Sequence, residues 1–466
     1  MNIDLSQPDD AILRTLIRRI QKRQRRLDEL DAYYEGDLRL QALGLALPPE
    51  LAALQTVVNW PGMYVDALEE RLDVEGFRLG GSARTDDRMW DWWQANDLDE
   101  ESGSAHLESF IASKAFVCVG TPDDAGGDAA PVITVESPRY MATATDPRSR
   151  TVEAAARLYG DVDEDGRRRK PTHATLYLNN RTVHYRRRDG WEVDYIDDHK
   201  LGLNLVVPMP NRPRAQYRDG YTEMRDIMGL TDAACRTLTN LQGAQELLAV
   251  PQRYVLGATE EDFRDQDGKV LTAWEAYLGR FLTLGNHEAK AGQFSAADLR
   301  NFTTVLEWYA RAGASVTGLP AHYFGLTSEN PASADAIRAG EARLIKKAER
   351  AARTRSGPWE QVMRRGLAVT GRDPNEAIRL ETVWRDAATP TFAAKADAVV
   401  KLHAAGILPL EAAWEQMGWG PEYRRRLRRL NSDDPAVRYL EANADKTAPG
   451  AGNPDPKDPD NEGEGE

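Results

Sequence analysis

Seven histidines, at 106, 173, 184, 199, 287, 322 and 403, are the first residues in this chain to invite a chemical role, and none stands at ligand spacing from another. His184 and His199 flank Asp194, Asp197 and Asp198, a set that in one pocket would make a metal site or an acid–base pair. The turn residues around them favour a plainer account, a polar hairpin edge, because turn-rich strands collect titratable groups without using them. Asp161-Val162-Asp163-Glu164-Asp165-Gly166 begins like a calcium loop, but Thr172 fills the twelfth position, where such a loop needs a bidentate Glu. It reads as an acidic hairpin loop. His322, beside Tyr323 and Phe324, is placed for packing and hydrogen bonding rather than catalysis. The chain has no Gly-x-x-x-x-Gly-Lys-Ser/Thr phosphate loop, no Gly-x-Ser-x-Gly elbow, no His-Glu-x-x-His and no Cys-x-x-Cys. No catalytic residue, metal ligand or cofactor site is assigned, and the expectation is a structural or mechanical protein.

The elements around His322 carry more information. Gly318-Leu319-Pro320-Ala321-His322-Tyr323-Phe324-Gly325 is a punctuated loop, and Asn330-Pro331-Ala332-Ser333-Ala334-Asp335 leads from it into a long helix. Asn330-Pro331 stops what precedes it, Ser333 can accept from the first free amides, and Asp335 suits the first turn of the helix dipole. From Ser333 to Ser356 no proline intervenes, which at ~1.5 Å per residue makes a rod of roughly 36 Å. Gly357-Pro358 is expected to end or kink it. Such a rod, entered through a hinged loop, suggests a moving part or a tunnel lining.

Upstream, residues 9–35 have helical spacing, with Arg18, Arg19, Lys22, Arg23, Arg25 and Arg26 between the apolar positions. Their basic face is a DNA contact or, more simply, a solvated or acid-paired surface. Helices are predicted at 63–72 and 106–115, then a buried strand at 116–119. Between about 131 and 207 the period shifts from 3.6 to 2, with strands at 132–135, 154–159, 174–178 and 183–185. From Tyr221 the helical period returns and runs to Pro251. A mixed segment follows, with strand-like pieces at 254–256 and 281–284, and then a helix at 296–314. After Gly371 come short helices at 392–405, 410–417 and 421–430, the last holding Arg424, Arg425, Arg426, Arg428 and Arg429. The fold class is α+β, mainly helical: helix, small β insert, helix, loop, long helix.

At 466 residues the chain can build two or three domains. Sixty basic against seventy-four acidic residues give −14, which excludes gripping nucleic acid by overall charge. No apolar run of about 18 residues supports a membrane span, and no apolar signal core opens the chain. Cys118 and Cys235, far apart, fit buried unpaired thiols in a reducing compartment. From Glu441 the chain is Pro, Gly, Asn and acid, too polar to bury a core, so a disordered acidic tail is expected over 441–466.

Several phrases resemble the portal proteins of tailed bacteriophages, of the siphophage type found in phages of actinobacteria. They are Tyr33-Tyr34-Glu35-Gly36, Asn59-Trp60 with Val65-Asp66 and Glu70-Arg71-Leu72, Trp93 through Asn96 with Leu98, Pro251-Gln252-Arg253, and Gly318 through Gly325 with Asn330 through Ala336. Their order and spacing over about residues 30–340 carry the resemblance, and the helical layout extends it to about 430.

The resemblance implies a portal architecture with wing, stem, clip and crown regions. Residues 1–220 and the helix of 333–370 would be wing, with a break near 357–358. Residues 221–250 and 295–317 would be stem helices, 251–294 the clip, 318–332 the tunnel loop and 371–440 the crown. It also implies a homo-oligomeric ring, typically a dodecamer, at one capsid vertex of the virion, assembled in the host cytoplasm. Through it double-stranded DNA would enter on packaging and leave on ejection. The implied partners are the terminase large subunit, a head–tail adaptor protein and the major capsid protein, with no membrane. Thr327, Ser328, Glu329 and Asn330 are then the expected DNA-facing tunnel-loop residues, and they include no Lys or Arg. A conduit should bind sliding DNA weakly, so their lack of positive charge suits the role. Arg424, Arg425 and Arg428 are candidate crown or DNA-side basic residues, and subunit contacts are the competing use for them and for the other basic runs. The alternatives are a DNA-processing enzyme, such as a terminase or nuclease, and a non-ring helical adaptor.

Overall fold

The computed structural model describes residues 6–37, 56–82, 84–121, 129–160, 171–248, 253–257, 290–293, 299–326, 334–388 and 392–432. In chain order the elements begin with α1 (Asp9–Glu35), α2 (Trp60–Glu69), β1 (Val74–Leu79), α3 (Asp87–Ala95), α4 (Leu98–Ile111), β2 (Lys114–Gly120) and β3 (Val132–Glu136). There follow β4 (Met141–Thr145), β5 (Val152–Tyr159), β6 (His173–Leu178), β7 (Thr182–Arg187), β8 (Trp191–Asp197) and β9 (Val206–Pro210). The chain then forms α5 (Arg225–Leu248), β10 (Arg253–Leu256), β11 (Lys290–Gln293), α6 (Arg300–Thr317) and α7 (Ala334–Val369). It closes with β12 (Leu380–Trp384), α8 (Phe392–Ala404), α9 (Leu410–Gln416) and α10 (Pro421–Ser432). This is an α+β, mainly helical fold.

The chain divides into two compact units, the first of residues 1–73 and 92–378, the second of residues 74–91 and 379–466. In the first unit β4 to β8 form an antiparallel meander in sequence order, and β3, β2 and β9 form a second sheet. The bulky face of α1, Ile12, Leu13, Leu16, Ile17 and Ile20, packs on Ala142, Ala144, Ala154, Ala156 and Ala174. Alanine on the strands lets the helix approach closely, and each aliphatic it buries contributes about 2 kcal/mol. β8 is the sheet's outer strand; it pairs with β7, and six of its seven residues are exposed.

In the second unit β1 pairs antiparallel with β12, from Val74 opposite Trp384 to Leu79 opposite Leu380. The sequence pattern shows neither strand, nor β4, β8 or β9. It also starts α2 three residues late and carries α4 through residues that belong to β2.

The break expected near 357–358 is corrected: α7 runs unbroken through Pro358. Proline costs a helix interior about 3 kcal/mol. Trp359, Val362, Met363 and Leu367 follow it, all buried, and their packing offsets that cost. The acidic hairpin loop at 161–166, the strand-like piece at 281–284, the cap Ser333, most of 251–294 and the tail at 441–466 lie outside the described residues. Cys118 and Cys235 are free and buried, and burial pushes the Cys118 thiol up to about 12.

Candidate functional site

The loop at 318–326 is held by residues of α2, α5, α6 and α7. α5 and α6 pack side by side, and Gly318 ends α6 in a left-handed conformation, φ 77°, its N–H donating to the Ala314 carbonyl at 2.8 Å. A side chain there would be strained and would collide with Arg343, whose Cδ lies 2.8 Å from an ideal Cβ. Leu319 and Phe324 are buried. Residues 321–324 make one 3-10 turn, closed by Gly325 in the same left-handed conformation, φ 76°. Gly313 leaves room on α6 for Phe324, since an added Cβ would sit 2.8 Å from its ring and 3.3 Å from Ile227 of α5. On its other side the Phe324 ring meets Trp60 edge-on, centroids 5.3 Å apart.

Trp60 is held by a second set of contacts. Asn59 caps α2 by accepting from the Gly62 N–H at 3.0 Å, and its side-chain amide donates to the Tyr34 carbonyl at 2.8 Å. The Tyr34 hydroxyl donates to Asp66 at 2.9 Å, and the Tyr33 hydroxyl bonds the Asp232 carboxylate of α5 at 2.9 Å. The phrases at 33–36, 59–60, 65–66 and 318–325, scattered along the sequence, thus converge on one joint.

Below the joint lies a buried polar chain. The Lys347 ammonium of α7 donates to the Tyr64 hydroxyl at 2.6 Å, Tyr64 donates to Glu223 at 2.7 Å, and Asn211 donates to the other Glu223 oxygen at 3.0 Å. Burial pulls the Lys347 ammonium down to about 8 and, with the Glu223 carboxylate, holds the Tyr64 phenol far above its usual range. One helical layer on, Arg355 is fully buried, its guanidinium 4.0 Å over the Phe110 ring and 3.2 Å from the Ser109 hydroxyl. Arg343 donates to the Ser315 carbonyl of α6 at 2.5 Å. Three of the cations on α7 therefore fasten the long helix to the rest of the unit.

The α5–α6 pair is electrically balanced. Arg225, Arg236, Arg300 and Arg311 stand against Asp226, Asp232, Glu246 and Glu307. The arrangement consists of rods, a pinned loop and buried clasps. Among the described residues no group of three or more His, Cys, Asp or Glu could hold a metal ion. His184 stacks on Tyr195, centroids 4.0 Å apart, and His199 accepts from the Leu201 N–H at 3.3 Å.

Thr327, Ser328, Glu329 and Asn330 lie outside the described residues. In the second unit Arg424 is only 2% exposed, with Nη1 3.1 Å from Glu415, which corrects the expectation of a DNA-side residue. Arg425 pairs with Asp91 at 2.8 Å and Glu422 at 3.2 Å, and Arg428 with Glu411 at 2.9 Å. Asp91 comes from a segment 334 positions away, whereas Glu411 and Glu415 sit on the preceding helix α9, which packs against α10. In the sequence Trp60, Tyr64, Glu223 and Lys347 form no visible set; only the phrase Asn59-Trp60 points toward them.

The two packed helices, the pinned loop and the long return helix belong to a chain of the phage portal class, as its family match shows. Residues 13–427 match the family described as phage portal protein, SPP1 Gp6-like, and the chain belongs to that family, whose members are virion components. The portal protein of Mycobacterium phage D29 is 38% identical over 461 residues, covering 96% of this chain and 94% of that one. The portal protein of Mycobacterium phage L5 is 39% identical over 437 residues, covering 91% and 89%. Among solved structures, a chain in the virion of a native gene transfer agent particle is 13% identical, with a TM-score of 0.44 over 85% of this chain and 94% of that one. One in the neck of an empty gene transfer agent particle is 14% identical, with a TM-score of 0.43 over 82% and 93%.

Proposed function

We propose that this chain forms a ring of twelve copies at one capsid vertex. The ring is the conduit through which double-stranded DNA enters during packaging and leaves during ejection, and it is the platform on which the packaging motor and the head–tail connector dock. The observation that carries this is the match to phage portal proteins across residues 13–427. In this reading α5 and α6 are the stem, 251–294 the clip, 318–332 the tunnel loop, and α7 with the sheets the wing. The terminase large subunit, a head–tail adaptor and the major capsid protein are its partners, and assembly takes place in the host cytoplasm. The protein acts as a structural part rather than an enzyme.

The electrostatics support a conduit. Each fixed cation that neutralises a phosphate adds binding free energy that moving DNA must give back. A balanced helix pair and a loop segment without Lys or Arg keep that drag small. Mass photometry with electron microscopy of the purified protein tests the proposal: rings of many 52.0 kDa subunits with a central hole are expected. A monomer at all concentrations and salts, with no ring in micrographs, would overturn it.

A further inference from the structure

Two surfaces of the first unit are exposed among the described residues, and they match in charge and length. Arg14, Arg18, Lys22 and Arg25 recur at steps of four, four and three on α1, so they form one stripe, opposite the face packed on the sheet; all four are exposed. None of them makes an ion pair among the described residues. Their neighbours on the flanks do find partners: Arg19 donates to the Thr143 carbonyl at 3.0 Å, and Arg23 pairs with Asp219 and Arg26 with Glu29, each at 2.6 Å. Like charges one turn apart repel, so the stripe is a standing cost to the isolated helix. It spans about 16 Å at the helical rise.

β8 supplies the counterpart. Its outer edge is open, and Glu192, Asp194 and Asp197 place three carboxylates along about 17 Å of strand. Asp194 and Asp197 form no ion pair among the described residues, and Glu192 has only a loose, exposed one with Arg188 at 3.6 Å. Val193 and Ile196 are 50% and 52% exposed, although across the ladder they stand opposite Tyr185 and Val183, which are buried. The sheet's apolar face thus runs on past its own cover. Charge alone would guard an open edge. Val193 and Ile196 lie on one face of β8 and Glu192 and Asp197 on the other, so a partner laid along the open edge meets both charge and apolar side chains.

We propose that the α1 stripe of one copy docks on the β8 edge of the next, as the head-to-tail contact of the outer ring. A closed ring needs two different surfaces on each subunit, and these two are complementary in sign and extent. The inference rests on the ring reading above.

Charge reversal tests it by mass photometry over a dilution series. Arg18→Glu/Lys22→Glu should raise the concentration for half-assembly at least about tenfold, as should Asp194→Lys/Asp197→Lys. Combining all four changes in one chain should bring assembly back to within about threefold of the parent. If a reversal impairs folding, Arg18→Gln/Lys22→Gln with an unchanged circular dichroism spectrum should shift assembly in the same direction by a smaller factor. Parent rings indifferent to every substitution would overturn this inference and leave the ring reading intact, whereas a parent that forms no ring would sink the ring reading itself. Rings of normal stability in which the Glu variants retain less duplex DNA would assign the stripe to nucleic acid and likewise overturn the contact.

Discussion

The Trp359 indole meets two demands at once: its ring packs edge-on against Trp93 with centroids 5.0 Å apart, and its N–H donates to His106 Nε2 at 3.1 Å. Trp359→Ala should cost about 3–5 kcal/mol, read from denaturant unfolding, while Trp359→Phe keeps most of the packing and should cost less. The same bond fixes the charge of His106. A nitrogen that accepts from an indole cannot carry a proton, and complete burial, reinforced by the Arg355 charge, pushes the imidazole well below its ordinary 6.5. Above that value neither the folded nor the unfolded chain holds the extra proton, and stability is full. As pH falls below 6.5 the unfolded chain takes up a proton that the folded chain refuses, and stability declines by up to about 1.4 kcal/mol per pH unit. Unfolding midpoints between about pH 7.5 and 5.5 should drop for the parent and drop less for His106→Gln; equal slopes in the two proteins would exclude this histidine as the cause.

At the scale of elements, the junction of α5, α6 and the loop depends on the absence of one side chain. Gly313→Ala should push Phe324 off its seat at a cost of about 1–3 kcal/mol and raise hydrogen exchange over 318–326, leaving the sheets unaffected. In α7 the opposite change helps: Pro358→Ala supplies the missing N–H and should raise stability by about 1–3 kcal/mol, seen as a higher unfolding midpoint. Much of this layout is legible in the sequence. α1, α5 and the alternation at 152–159 and 173–187 are long or regular enough for their period to show. The strands β1 and β12 are not, because each is only five or six residues long and its partner lies some 300 positions away. β8 does carry a period-2 alternation, Trp191-Glu192-Val193-Asp194-Tyr195, but the acids in and after it read as a wet hairpin edge rather than as a strand. The proline in α7 misleads because its local cost is visible in sequence and the burial of the next two turns is not. For the candidate site, the phrases that meet at Trp60 can be read one by one, whereas their meeting is a fact of tertiary structure. Likewise Asp91, which pairs with Arg425, lies 334 positions away, and Glu415 meets Arg424 only because α9 packs against α10.

Across the whole molecule the excess of acid and the balanced α5–α6 pair suit the proposed conduit, in which DNA passes rather than stays. Deleting Ser328 to Pro331 should leave rings intact while impairing DNA packaging or retention; normal packaging by that variant would refute a tunnel-loop role. Removing 441–466, where eight acidic residues face two basic ones, should leave ring assembly unchanged by mass photometry. The pairing of β1 with β12 also bears on how the protein is made. Val74 must wait for Trp384, 310 residues later by subtraction, before its ladder can close. At ribosomal speeds of about 5–20 residues per second, that leaves Phe77 and its strand uncovered for about 15–60 seconds. A polypeptide interrupted before residue 380 never covers them, so the ladder closes only in translation products that extend past Trp384, and a subunit terminated earlier is marked for chaperones or proteases by the strand it exposes.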